Sequence, residues 1–225
     1  MAKNQIADIS WKESGVPVAA QFGDPYFSLE DGLAETRHVF LGGNDLSARL
    51  ASGFHIAELG FGTGLNMLAT FLTWQEAGAP NRARFTSFEA FPMTVEDIAK
   101  ALDAFPEARA VAAPFLSAWG DGARTFDLDG FAVEVIMGDA RQTLPAWRGK
   151  ADAWFLDGFS PAKNPELWGE DLMMQVGAHT VPGGTFATYT AAGFVRRALD
   201  AAGFDVERAP GYGRKRHMSR GTLRR

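Results

Sequence analysis

The chain has 225 residues, 46% of them hydrophobic and 22% charged, with no cysteine and a net charge of −5. That suits one α/β domain with a substantial core, and it excludes disulfides, thiolate metal sites and a cysteine nucleophile. The four histidines (His38, His55, His179 and His217) lack ligand spacing and predict no metal; no apolar run approaches a membrane span and no signal peptide is evident, so the expected location is the cytoplasm.

Residues 1–50 differ in pattern from the rest of the chain. Residues 22–27 and 36–41 read as strands, with turns at Asp31-Gly32 and Gly42-Gly43, and predict a small β-rich N-terminal extension packed on a main domain of residues 51–225. That domain opens with a strand at 54–59, a helix at 65–76 and a strand at 83–89. Thr94, with Asp97 three residues on, is read as a capping box starting a helix to 104. Residues 105–129 carry mixed signals and predict a short helical insertion with loops. Strands follow at 131–137 and 153–156. Pro165 suits the start of a helix to about 179. A strand at 185–190 and a helix at 193–202 come next, with Gly203 at its C′ position. Strands near 205–208 and 216–219 predict a closing hairpin. Strands alternating with helices imply an α/β fold: a mostly parallel sheet covered on both faces, ending in the antiparallel hairpin.

In such sheets ligands sit outside the carboxyl ends of the strands. Four strand ends carry ligand-type groups. The first is Ile56-Ala57-Glu58-Leu59-Gly60-Phe61-Gly62-Thr63-Gly64-Leu65-Asn66. Its alternating glycines let the backbone turn sharply and approach a ligand, and the next helix points free N–H groups at it. The third glycine of the dinucleotide fingerprint is absent, because Leu65 occupies that place. This stretch, with Glu58 before the first glycine, resembles motif I of the class I S-adenosylmethionine-dependent methyltransferases. It assigns Glu58, Gly60, Phe61, Gly62, Gly64 and Asn66 to the cofactor.

The second strand ends at Glu89, whose carboxylate suits the two hydroxyls of a ribose. The third ends at Gly138-Asp139, where the acid suits the exocyclic amine of adenine, or else caps the following helix. The fourth ends in Asp157-Gly158-Phe159-Ser160-Pro161-Ala162-Lys163-Asn164-Pro165. Asp157 closes a very apolar strand and is predicted to be partly desolvated, with two prolines stiffening its loop.

The stretch from Asp152 to Pro165 is similar to the signature of the methyltransferase domain of the MnmC family, which modifies the wobble uridine of tRNA. Tyr26-Phe27-Ser28, Glu35-Thr36-Arg37, Ser87-Phe88-Glu89, residues 183–190, Ala192 to Arg197 and Gly211 to Arg216 agree, so the resemblance covers essentially the whole chain. It implies a Rossmann-like fold. It also implies methyl transfer from S-adenosylmethionine to the 5-aminomethyl nitrogen of 5-aminomethyl-2-thiouridine in the tRNA anticodon loop. The family's bifunctional members add an FAD-dependent domain; this chain shows no second glycine-rich βαβ unit, so no FAD is expected.

With that resemblance in view, Asp157 is the candidate catalytic acid, accepting a hydrogen bond from the amine. Phe159 and Tyr189 are candidates for stacking on the extruded uracil, or core aromatics. Tyr26 and Glu35 would close over the cofactor. Arg196, Arg197, Arg214, Lys215 and Arg216 would hold phosphates, or form a solvated basic face; Lys163 has the same two readings. Two alternatives stay open: a methyltransferase or aminopropyltransferase acting on a small amine, and a catalytically silent cofactor-binding module that interacts with RNA.

Overall fold

The computed structural model describes residues 6–28, 31–79 and 82–224; residues 1–5 of the expected extension lie outside them. The chain starts with a three-stranded antiparallel sheet, β1 (Ile9–Trp11), β2 (Pro17–Ala19) and β3 (Asp24–Pro25). Of the strand expected at 22–27, only those two residues of β3 pair.

The strand expected at 36–41 is helical instead. Asp31 caps α1 (Gly32–Thr36), its carboxylate accepting from the Ala34 N–H at 2.9 Å. The helix continues as a π-helical segment, Arg37–Gly42, and after a turn as α2 (Leu46–Arg49). The apolar run Val39-Phe40-Leu41 is buried against the main sheet, so tertiary packing overrides a composition that reads as β. Asn44 locks the segment down: its amide donates to the carbonyls of Phe40 and Trp154 and accepts from the Thr185 hydroxyl.

The main domain runs through β4 (His55–Leu59), α3 (Leu65–Glu76), β5 (Ala83–Glu89) and α4 (Val95–Leu102). As expected, the Thr94 hydroxyl caps α4, accepting from the Asp97 N–H at 3.2 Å. Residues 105–129 form α5 (Pro106–Val111), α6 (Ala113–Gly120) and β6 (Thr125–Leu128), a strand that sequence patterning misses. Then come β7 (Phe131–Met137), α7 (Ala140–Ala146) and β8 (Ala151–Leu156). The helix expected from Pro165 is two pieces, a 3-10 turn at Pro165–Trp168 and α8 (Glu170–Ala178), with the extended Gly169 between them. The chain ends with β9 (Thr180–Thr188), α9 (Gly193–Ala201), β10 (Phe204–Pro210) and β11 (His217–Leu223).

Eight strands form one sheet in the order β10-β11-β9-β8-β4-β5-β7-β6. The central pairs are parallel, while β6, β10 and β11 pair antiparallel. Both faces are covered. Along β4, Ile56 packs into one core and Ala57 and Leu59 into the other; along β8, Phe155 and Trp154 divide likewise. Strands buried on both faces carry continuous apolar runs, as these do. From the adjacent pair β4 and β8 the chain proceeds outward in opposite directions, through β5 on one side and β9 on the other. That is a topological switch point, and a cleft opens beyond its carboxyl ends. Among the described residues, no helix is long and apolar enough to cross a membrane.

Candidate active site

Register sets the centre of the site. Leu59 pairs with Leu156, so the glycine turn after β4 lies beside Asp157 after β8. Gly60, Gly62 and Gly64 adopt φ of 91°, 53° and 74°, a region costly for other residues. A Cβ on Gly60 would collide with the carbonyl oxygen of Asp157, and one on Gly62 would lie 3.3 Å from the Tyr26 ring. Glu89, at the end of β5, holds this turn: its carboxylate accepts from the N–H of Gly62 at 3.0 Å and of Phe91 at 2.7 Å.

A buried polar network lies behind the turn. The Asn66 amide, in the first turn of α3, donates to Glu58 Oε1 at 2.9 Å and to Asp157 Oδ2 at 2.6 Å. Its carbonyl oxygen accepts from the Thr36 hydroxyl at 2.7 Å. Ser87 donates to the second Glu58 oxygen at 2.6 Å. Glu58 is 0% exposed, and burial raises its carboxyl well above the usual range. The expected cofactor contact by Glu58 is therefore corrected. No surface of it faces the cleft, and it braces Asn66, which in turn orients Asp157.

Asp157 borders the cleft. Burial pushes its carboxyl up to about 7, against the lowering effects of the Asn66 hydrogen bond and the Lys215 charge; Glu35 adds to the rise. With Oδ2 held by Asn66, Oδ1 is the oxygen left for a ligand. Phe159 packs between Phe22, at 4.8 Å between ring centroids, and Tyr26, at 5.2 Å. Its loop is tied to the N-terminal extension: the Ser160 N–H donates to Asp24 Oδ2 at 2.7 Å, and Lys163 donates to Asp24 Oδ1 at 2.9 Å and to the Gly23 carbonyl. Lys163 thus clamps the loop rather than reaching into the cleft. Tyr189 donates its hydroxyl to the Gly158 carbonyl at 2.7 Å. Lys215 lies over its ring at 4.2 Å and pairs with Glu35 at 2.6 Å.

These groups surround one cavity of about 660 Å3, within the range of small-molecule sites. Tyr26, Glu35, Phe61, Glu89, Asp139 and Asp157 border it, as do Phe159, Tyr189, Arg214 and Lys215. Asp139 also caps α7, accepting from the Arg141 N–H at 2.9 Å. The Arg141 guanidinium beside it accounts for a carboxyl held below the usual value, and the capping reading of Asp139 is the one these hydrogen bonds show. Phe61 borders the cavity while stacking on Trp119 at 5.0 Å. Gly64, Arg196, Arg197 and Arg216 stand outside the wall. Sequence reasoning missed Thr36, Asp24 and Arg141. Only Arg141 left a trace, two residues beyond a strand-end acid; the others act across more than a hundred residues or from an element read as a strand. Among the described residues, no cluster of His, Cys, Asp or Glu could hold a metal.

The residues fit a nucleoside-bearing sulfonium ligand. The glycine turn allows close backbone approach, an acid stands at each neighbouring strand end, and the cavity has the volume. The comparisons agree. A family model described as S-adenosyl-L-methionine-dependent methyltransferase matches residues 96–224, more than half of the chain. The chain is 46% identical over 229 residues to the tRNA 5-methylaminomethyl-2-thiouridine biosynthesis bifunctional protein MnmC of Caulobacter sp. (strain K31), covering 96% of this chain and 38% of that protein. It is 46% identical over 231 residues to the protein of the same name from Chromobacterium violaceum, covering 96% and 34%. The chain therefore spans little more than a third of the curated relatives it matches. The crystal structure of MNMC2 from Aquifex aeolicus superposes with a TM-score of 0.79 at 25% identity, covering 99% of this chain and 72% of that one. A spermidine synthase from Thermotoga maritima, at TM-score 0.57 and 10% identity over 96% of this chain and 68% of that one, shares the fold. By its family match and its Rossmann-like sheet, the chain belongs to the S-adenosyl-L-methionine-dependent methyltransferases.

Proposed function

We propose that the chain methylates the 5-aminomethyl nitrogen of the wobble (2-thio)uridine in the tRNA anticodon loop, giving 5-methylaminomethyl-(2-thio)uridine, and that it works in the cytoplasm. The observation that carries this reading is Asp157. Among the acids that border the cavity, it has one oxygen fixed by Asn66 and a carboxyl raised to about 7. The names of the relatives point to the same uridine.

A primary alkylamine resembles lysine, with a pKa of about 10.4, and is mostly protonated at neutral pH. It must shed a proton before its lone pair can attack. An ordinary aspartate is a poor acceptor for that proton; one raised to about 7 is closer in pKa to the amine. Bound S-adenosylmethionine supplies an electrophilic methyl on a positively charged sulfur. Asp157 Oδ1 accepts from the amine and aims its lone pair, and this orientation carries much of the rate. Phe159 and Tyr189 flank the space for an extruded base, since enzymes acting on a base take it out of its stack. The extension, tied down through Asp24, keeps water from that side. Arg196, Arg197, Arg214, Lys215 and Arg216 supply the positive edge for the RNA backbone.

The test is methyl transfer from labelled S-adenosylmethionine to tRNA carrying 5-aminomethyluridine at the wobble position, with carboxymethylaminomethyl tRNA as control. Label in the first alone is expected. Label in neither, with the cofactor bound, overturns the reading in favour of a small-amine acceptor.

A further inference from the structure

Lys215 sits on the turn between β10 and β11, where a lysine ordinarily extends into water and keeps its rotamer freedom. Here the side chain, although still 45% exposed, reaches across to the cavity wall. Its ammonium lies 2.6 Å from Glu35 Oε1 and 4.2 Å from the centroid of the Tyr189 ring. The Glu35 side chain is only 12% exposed, and a carboxylate so withdrawn from water is costly without a cation. The Tyr189 ring is fixed at its far end by the bond to the Gly158 carbonyl, so it presents a constant π-face. Glu35, Tyr189, Lys215 and Asp157 all border the cavity. Asp157 feels the charges of both Glu35 and Lys215, so the group lies within electrostatic reach of the candidate catalytic acid.

A carboxylate, an aromatic face and a second carboxylate nearby are what recognises a primary ammonium: one side accepts N–H hydrogen bonds, the other offers cation–π attraction. We infer that Glu35 and Tyr189 form a seat for the acceptor's primary ammonium beside Asp157, held in this structure by the ammonium of Lys215. The inference rests on the amine-methylating reading above and names how that site selects its acceptor. An aminomethyl group carries the same head as a lysine, so the two exchange. The released Lys215, between Arg214 and Arg216, then turns to the backbone of the incoming RNA. A carboxymethylated amine would bring its carboxylate against Glu35 and Asp157, and like charges repel it.

Benzylammonium, a planar ring bearing CH2NH3+, is the probe, and benzyl alcohol is the uncharged control. Their binding is titrated by NMR on the full chain at pH 7.5. Lys215→Met is expected to bind benzylammonium about tenfold more tightly than the unaltered chain, with benzyl alcohol unchanged. Adding Glu35→Gln should remove that gain. A Lys215→Met chain that binds benzylammonium no more tightly, or a gain that survives Glu35→Gln, overturns the seat. Methylation of aminomethyl tRNA by the unaltered chain is measured alongside. If the benzylammonium pattern holds while that tRNA goes unmethylated, the seat stands and the tRNA reading falls. If the tRNA is methylated while the pattern fails, the seat alone falls.

Discussion

The two sides of the cleft are built differently. On the side of β4 and β5, the wall is largely backbone: Gly60 and Gly62 at positive φ, in a turn pinned to Glu89 through the Gly62 N–H. On the side of β8, the wall is side chains brought from far apart in the chain. Ser160 meets Asp24 across 136 positions, and Lys215 meets Glu35 across 180. The first side is a local property of one strand–turn–helix unit. The second exists only once the N-terminal extension and the C-terminal hairpin have closed on the sheet. Damage to the two should therefore separate, cofactor affinity on one side and turnover on the other.

The largest expected effect is on the side-chain wall. Asp157→Ala should lower turnover by about a hundredfold or more, the scale of a positioned acid or base, with cofactor affinity within a few-fold in equilibrium binding. Near-normal turnover would remove Asp157 from the chemistry. The converse variant is Gly62→Val. Its branched side chain would meet the Tyr26 ring and would be strained by the positive φ that the turn imposes at this position, so cofactor affinity should fall by about tenfold or more. Affinity equal to the unaltered chain would show that the turn is not a close-approach surface.

Asn66→Ala probes the joint between the two sides, because Asn66 belongs to the glycine-turn helix yet holds Asp157. Turnover should fall about tenfold from lost orientation. The pH profile gives the sharper readout. Activity that needs ionised Asp157 rises with pH through its pKa, near 7. The Asn66 hydrogen bond lowers that pKa, so its loss should move the rise to higher pH. A reduced rate with an unmoved profile would leave Asn66 a packing residue.

The same contrast explains what the sequence disclosed. The glycine turn, Glu89, Asp139 and Asp157 were legible because each sits at the end of an apolar strand, and the strand-and-helix alternation fixed where those ends converge. Glu58 was misplaced because motif spacing locates a residue along the chain but not the face of the strand it occupies. It lies one residue from Leu59, on a strand buried on both faces, and its carboxyl turns inward to Asn66 and Ser87. The helix at Gly32–Thr36 and the π-helical Arg37–Gly42 were hidden because their β-branched and aromatic residues serve packing against the sheet. The Lys163–Asp24 clamp left no trace, since nothing local pairs two charges across 139 positions.

The last expected effect is small and concerns the cost of keeping an acid in the wall. The carboxyl of Asp157 rises from 3.8 to about 7 on folding, chiefly through burial. The folded chain therefore binds a proton more tightly there than the unfolded chain does. The stability this contributes is fully present below pH 3.8 and is lost as pH rises through about 7. Asp157→Asn keeps the shape and cannot ionise, so it escapes that loss. It should be more stable than the unaltered chain at pH 8, and its advantage there should exceed its advantage at pH 5 by about 2 kcal/mol. In a domain of this size that corresponds to a difference of roughly 4–8 °C in Tm. Thermal denaturation of both proteins at the two pH values measures it. An advantage that does not change with pH would mean that Asp157 ionises freely in the folded chain. The wall would then be wet on this side as well, and the contrast between the two halves of the cleft would narrow to geometry alone.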